Sequence, residues 1–234
     1  MRRGCSVAVV AVASFCGLAS VCCDPAHALP PRTSQDAARP VENFERALMT
    51  IMREARTHPR RARFAIVSTA VRRDFDLDTM CEISAGAYWG AMTPQQRTAL
   101  VREFGNYLAA RYVDRFDSFQ GERVSLTGRV AELDGDVEVH TRIEIPRAGI
   151  DHRHVLRAAF LVRASDAGWR IEDVKWGAVS GLQVWRSAFE DVLQRGGVEA
   201  LIARLDRQTS LTLRRQDRSA PPAGMPDTSH FWDG

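Results

Sequence analysis

Cysteine is scarce in this sequence of 234 residues, and four of the five cysteines stand in its first 23 positions. If that segment is removed, only Cys81 remains, which excludes an intramolecular disulfide and leaves a packed core to stabilise the fold. Excess charge is lacking as well. A net charge of +3 is small for a dedicated nucleic-acid-binding protein, which carries a conspicuous basic patch. We therefore expect no nucleic-acid partner.

Long hydrophobic runs are absent except at the N-terminus. Arg2 and Arg3 precede an apolar stretch from Val7 to Val21, and Ala26-His27-Ala28 provides a small-residue cleavage motif. A charged start, a short apolar stretch and a small-residue exit are typical of a Sec-type signal peptide. The sequence therefore predicts cleavage after Ala28 and export of the mature protein.

Helical spacing of apolar residues begins after a proline-containing linker over residues 29–41. Asn43 opens a pattern that continues with Phe44 and Leu48 on one face of a helix. Further on, the run Thr93-Pro94-Gln95-Gln96 has the residues of a capping box followed by proline at the first helical position. This run predicts the start of a long helix that continues to Phe116.

The period of the apolar residues changes from about 3.6 to 2 in the middle of the chain. Four segments, 124–130, 137–145, 155–162 and 169–174, are separated by short turns and predict four antiparallel strands in a meander. The order of helices, then a meander, then helices predicts an α+β fold with helices on one face of the sheet.

Helical spacing returns after Ser180, and Gly196-Gly197 predicts the end of that helix. A last helix is predicted over residues 198–205. From residue 209 the chain turns polar, and we predict a disordered tail to residue 234. The folded domain is therefore expected to span residues 42–208.

The sequence has few of the motifs that are typical of catalytic sites. The sequence contains no G-x-S-x-G, no glycine-rich phosphate loop and no H-E-x-x-H. His152 and His154 share one strand face but have no third ligand at metal-binding spacing, and Cys81 has apolar neighbours typical of a buried thiol. We therefore predict no enzyme activity, no cofactor and no metal ion.

Asp173 leaves one alternative open, because it ends a predicted strand. Carboxylates in such places act as general bases in cone-shaped α+β enzymes with a small apolar substrate. The favoured interpretation is structural: a strand-end cap, or an ion-pair partner of Arg170 or Arg186. A second alternative is a module without a cavity that docks on an envelope complex.

Two ordered blocks of residues resemble the MlaC, or toluene-tolerance auxiliary, family. The first block is Phe75-Asp76-Leu77, Met80, Gly86, Tyr88-Trp89, Pro94, Gln96, Phe104, Leu108, Tyr112 and Gly121. The second block is Gly168-Trp169, Ile171, Asp173-Val174, Ser180, Arg186-Ser187, Phe189, Gly196-Gly197, Leu201-Ile202 and Leu205. The resemblance covers residues 42–208, and the segment 112–123 is similar to the HpnM, hopanoid-associated branch.

The resemblance implies an NTF2-like core with an apolar cavity between sheet and helices. It also implies a periplasmic carrier of phospholipid, auxiliary to an ABC transporter. Its implied partners are an inner-membrane lipid transporter and an outer-membrane lipid-handling complex. The HpnM branch implies a hopanoid or related polycyclic lipid as the alternative ligand. The candidate cavity-wall residues are Phe75, Met80, Phe104, Leu108, Tyr112, Val139, Ile143, Phe160, Val179, Leu182 and Phe189.

Overall fold

The computed structural model describes residues 36–131, 135–146, 154–166 and 168–215. The predicted signal peptide over residues 1–28 and most of the predicted linker lie outside the described residues, as does the chain from residue 216 onward. Within the parts described, no helix is both long and apolar enough to span a membrane.

Four α-helices precede the sheet within residues 36–122, the described part of the chain before β1 begins. The first begins at Ala38, earlier than the predicted start at Asn43, and its Pro40 stands in the first turn, where the missing proline N–H has no intrahelical partner to lose. The helices are α1 (Ala38–Arg53), α2 (Arg60–Asp74), α3 (Leu77–Ala85) and α4 (Pro94–Arg115), with a 3₁₀ turn over Gly86–Ala91 before α4.

The predicted capping box at the start of α4 is confirmed. Gln96 N–H donates to Thr93 Oγ1 at 3.2 Å, and Thr93 N–H donates to Gln96 Oε1 at 2.9 Å. Pro94 occupies the first turn, where its fixed φ suits the helix. These local bonds satisfy two backbone donors that would otherwise lack partners at the helix end.

An antiparallel sheet follows the helices in a meander with strand order β1-β2-β3-β4-β5. The α+β class with helices packed on this sheet is confirmed, but the prediction of four strands was wrong. The extra strand β5 has two residues, too few to show alternation, and Gly177 turns the chain toward it with φ of 60°. The strands are β1 (Arg123–Ala131), β2 (Val137–Ile145), β3 (His154–Ser165), β4 (Gly168–Trp176) and β5 (Val179–Ser180).

The last helix, α5 (Gly181–Arg214), is longer than the sequence predicts. Gly197, with φ of 70° and ψ of −171°, kinks this helix where an end was predicted. Beyond the kink the helix continues to Arg214, so the first residues of the predicted tail are helical. Thr209 is buried there, and its hydroxyl donates to the Leu205 carbonyl at 2.9 Å.

Helix α4 connects two aromatic clusters. On one side, Phe104 lies edge-on to Trp185 and Phe189 of α5, with ring centroids 5.6 and 5.5 Å away. On the other side, Tyr112 lies edge-on to Phe44 of α1 at 4.7 Å. Because the apolar stripe of α4 winds around its axis, its two ends face different neighbours. The cluster around Phe44 lies next to the pocket described below.

Candidate functional site

A narrow apolar pocket lies between α1 and the sheet. Because β2 alternates, its Val139, Thr141 and Ile143 are buried on the face toward the helices. The helical wall consists of Phe44, Leu48, Met49 and Met52 of α1 with Tyr112 and Phe116 at the end of α4. The sheet wall consists of Val124, Ile143, Phe160 and Trp176.

Aromatic rings form a packed group at one side of the pocket. The Phe44 ring lies 4.8 Å from Phe75, 4.7 Å from Tyr112 and 6.5 Å from Phe160, all edge-on. Edge-to-face packing at these distances stabilises each ring beyond the burial of its area. This side of the pocket is therefore rigid, whereas methionines 49 and 52 at the other part of the lining are flexible side chains that repack readily.

The pocket is nearly closed in this structure. The cavity between its walls has a volume of about 20 Å³, room for about one water molecule. A molecule larger than water therefore enters only if the walls separate. Helix α1 supplies five of the twelve lining residues, so its movement away from the sheet would widen the pocket most.

Two carboxyl groups, Glu45 and Glu122, interrupt the apolar lining. The pKa of Glu45 is raised to about 7, chiefly by burial; a hydrogen bond with the Thr141 hydroxyl opposes this rise, and the nearby charge of Glu42 adds to it. Glu122 is buried and accepts a hydrogen bond from Gln120 N–H at 2.7 Å. The wall therefore carries acidic groups, and the described residues that line it include no basic side chain.

The structure places three of the predicted wall residues in the pocket lining: Tyr112, Ile143 and Phe160. Val179 lies on β5 with 48% of its surface exposed and is not among the residues that line the pocket. Leu182 is partly buried against the core. The remaining predicted wall residues are buried in the core outside the lining: Phe75, Met80, Phe104, Leu108, Val139 and Phe189.

Sequence reasoning missed the contribution of α1, including the carboxyl of Glu45. The position of Glu45 relative to the apolar residues of α1 could have indicated its burial. Glu45 stands four residues after buried Val41 and three before buried Leu48, so it lies on the apolar stripe of an otherwise amphipathic helix. A carboxyl at such a position indicates either a buried partner or a functional group.

Asp173 is a structural cap. Its carboxylate accepts hydrogen bonds from Ser180 Oγ at 2.6 Å and from the backbone N–H groups of Val174 at 2.8 Å and Leu182 at 3.0 Å. Ser180 is in turn the N-cap of α5 and accepts from Gln183 N–H at 3.3 Å. The carboxylate thus joins the end of β4 to the start of α5, in agreement with the favoured sequence interpretation, and it is not part of the pocket lining.

Replacing Asp173 by alanine is expected to lower the free energy of unfolding by about 3 kcal/mol, because buried donors lose a charged acceptor. Urea unfolding of the wild type, Asp173→Ala and the exposed control Asp206→Ala measures the effect. A loss no greater than that of the control would contradict the structural role.

The fold and the pocket define a class of protein in which an antiparallel sheet and covering helices surround an apolar pocket. Within this class, the family described as MlaC protein matches residues 42–207, and the chain belongs to that family. The sequence resemblance to the family is thereby confirmed; the leaning to the HpnM branch stays a prediction.

A solved structure with a similar fold is that of the phospholipid-binding protein from Ralstonia solanacearum in complex with a phospholipid. The similarity has a TM-score of 0.64 and 22% sequence identity, and it covers 76% of this chain and 99% of that chain. At this identity the similarity establishes the fold. No curated protein matches the chain.

Proposed function

We propose that the protein is a periplasmic lipid carrier that holds acyl chains in the pocket and shuttles phospholipid between inner-membrane and outer-membrane transport complexes. The observation that supports it is the pocket itself: an apolar lining between α1 and the sheet, in a chain of the MlaC family. The solved structure of similar fold, which contains a phospholipid, supports the choice of ligand.

The physical need for such a container follows from hydration. Each methylene exposed to water costs about 0.8 kcal/mol, so a two-chain lipid with roughly 30 methylenes costs on the order of 20 kcal/mol to transfer bare. A carrier removes this barrier by keeping the chains between apolar walls. It needs no reacting group, and the lipid's polar end stays close to solvent.

The proposal requires α1 to separate from the sheet on loading, because the pocket is too narrow for a chain as it stands. The flexible methionines at positions 49 and 52 suit this role, since their side chains repack around contents of different shape. The edge-on aromatic group around Phe44 would then act as the fixed end of the opening.

The test is mass spectrometry of lipid extracted from residues 29–234, purified from the native periplasm without detergent. Roughly stoichiometric phospholipid would support the proposal. Enrichment of a hopanoid or other polycyclic lipid would favour the HpnM-type ligand instead. No bound lipid, together with no uptake from added vesicles, would reject both and favour a docking module without a ligand.

A pocket-blocking variant links the lipid to this site. Val124 of β1 lines the pocket, whereas Val130 of the same strand is 50% exposed. Val124→Trp is expected to lower the lipid-to-protein ratio at least fivefold, and Val130→Trp is expected to leave it unchanged. Thermal unfolding of both variants verifies that they are folded. An equal ratio in two folded variants would place the lipid elsewhere on the protein.

Glu45 favours one second candidate, a small-substrate enzyme, because a carboxyl with a pKa of about 7 in an apolar pocket is suited to general-base catalysis. The two functions differ in what happens to the bound molecule. Lipid recovered chemically intact after long incubation supports the carrier. A modified lipid whose formation is lost in Glu45→Gln would support the enzyme.

A further inference from the structure

A short segment that belongs to no helix or strand, residues 117–122, borders the pocket and is here called the strap. Phe116 comes directly before the strap, and Glu122 is its last residue; both side chains line the pocket. The strap connects the end of α4 to the start of β1. It therefore forms the rim of the pocket between these two elements.

Both ends of the strap are anchored. Asp117 Oδ2 accepts a hydrogen bond from Arg60 Nη2 of α2 at 3.5 Å. At the other end, Glu122 accepts a hydrogen bond from Gln120 N–H at 2.7 Å, and Gly121 has φ of 97°, a conformation that favours glycine. A segment outside the helices and strands opens without breaking their hydrogen bonds, and such segments open at low free-energy cost.

The middle of the strap contacts α1 through a cation and a ring. The guanidinium carbon of Arg53 lies 5.4 Å from the centroid of the Phe119 ring. Arg53 is exposed, and it directly follows Met52 of the pocket lining. Because cation–ring contacts at exposed positions are weak, this contact can break and form again without unfolding the protein.

The other boundaries of the pocket are harder to separate. The N-terminal half of α1 is held by the edge-on packing of Phe44 against three aromatic rings. The strands of the sheet wall are joined to one another by ladder hydrogen bonds. The C-terminal half of α1, in contrast, faces the pocket with the flexible side chains of Met49 and Met52. The walls therefore separate most easily between this half of α1 and the strap.

We propose that acyl chains enter the pocket between the C-terminal half of α1 and the strap, and that the contact of Arg53 with Phe119 holds this entrance closed. Arg53 and Gln120 are exposed at this rim, so the polar end of a lipid stays close to solvent while its chains pass inward. This inference rests on the proposed carrier function and adds the entrance to its pocket and the contact that controls it.

A covalent cross-link across the entrance tests the inference. Arg53→Cys and Phe119→Cys are combined in the mature protein, residues 29–234, and joined by a short bismaleimide. Cys81 is fully buried, so its thiol does not react. Delipidated protein is mixed with dioleoyl phosphatidylglycerol vesicles, and bound lipid is measured over time by mass spectrometry. We expect uptake to be about tenfold slower after cross-linking than before it, because the entrance can no longer open.

A second cross-link controls for the chemical reaction. Gln96 Nε2 donates a hydrogen bond to Glu199 Oε1 at 3.1 Å, which joins the start of α4 to α5, and neither residue lines the pocket. Gln96→Cys combined with Glu199→Cys and cross-linked in the same way is expected to take up lipid at the wild-type rate. Thermal unfolding verifies that both cross-linked proteins are folded.

Arg53→Gln weakens the contact by changing one exposed side chain, and it serves if the cysteine variants do not fold. We expect its uptake to be about threefold faster than that of the wild type, since the weak contact no longer holds the strap. Phe119→Trp keeps a ring beside the cation and is expected to retain the wild-type rate. Arg46→Gln, at an exposed position of the same helix, is also expected to leave the rate unchanged.

The possible failures are distinct. If the Arg53–Phe119 cross-link leaves uptake as fast as before, chains enter elsewhere; the inference is overturned and the carrier function stands. Equal slowing by the Gln96–Glu199 cross-link would overturn it too, because the effect would not depend on the entrance. Uptake by Arg53→Gln at the wild-type rate would show that this contact does not hold the entrance closed. If the wild type takes up no lipid, the proposed carrier function itself fails.

Discussion

Replacing Phe44 by alanine is expected to lower the free energy of unfolding by about 4 kcal/mol, the usual cost of removing a buried aromatic ring. The Phe44 ring is fully packed among Phe75, Tyr112 and Phe160, and it joins α1 to α4 and to the sheet. Its loss leaves a cavity bordered by these three rings, and the strands of the sheet are too rigid to move in and fill it. Urea unfolding of delipidated protein measures the change.

A matched control and a rescue make this result specific. Arg46→Ala changes an exposed side chain on the same helix and is expected to alter stability by less than about 0.5 kcal/mol. Because Phe44 also lines the pocket, added lipid is expected to restore part of the loss in Phe44→Ala by filling the enlarged space. A loss below about 1 kcal/mol would mean that α1 is not docked on the sheet as the structure has it.

The stability of the delipidated protein is expected to fall as the pH rises from about 4.5 to about 7, by about 3 kcal/mol from Glu45 alone. The folded protein keeps the Glu45 proton up to a pKa of about 7, whereas the unfolded chain releases it near the ordinary value of 4.5. Between these values the folded state binds more protons, so each increase in pH favours unfolding. Above a pH of about 7 this contribution is constant.

Glu45→Gln tests this expectation, because glutamine resembles the protonated carboxyl and does not titrate. The variant is expected to match the wild type at pH 4.5 and to be more stable at pH 8. Comparing the two proteins at both values cancels the contributions of other groups, among them Glu172, whose pKa burial also raises. Equal stabilities of the two proteins at pH 8 would show that the Glu45 carboxyl is solvated in the folded state.

The features predicted correctly from the sequence are those encoded by neighbouring residues. The capping box at Thr93 depends on atoms three residues apart, and the prediction of strand β2 depends on alternation within its own segment. Strand β5 has two residues and no pattern, so its pairing with β4 is fixed by the turn at Gly177. The kink at Gly197 differs from a helix end only in what the following residues pack against.

The candidate site was predictable only in part. The spacing of apolar residues shows which side of a helix or strand is apolar, but it does not show which element packs against that side. Tyr112, Ile143 and Phe160 line the pocket, whereas Phe104 and Phe189, which have the same kind of spacing, pack against each other between α4 and α5. Glu45 was overlooked because a charged residue beside Phe44 is ordinarily a solvent-facing one. Its burial depends on the approach of β2, which lies far along the chain.

The small volume of the pocket affects the free energy of a carrier that has released its lipid. An apolar pocket of about 500 Å³ kept open and dry would cost on the order of 10 kcal/mol, at roughly 24 cal/mol for each Å³ of void. The pocket as the structure has it encloses about 20 Å³, so this arrangement of α1 and the sheet carries no large empty space. If a lipid separates these walls, as the proposed function requires, their closure would compensate for part of the free energy lost when the lipid departs. Closure of the pocket after delivery would then favour release of the lipid. The receiving membrane complex would need to supply only the remaining part of the free energy of lipid binding.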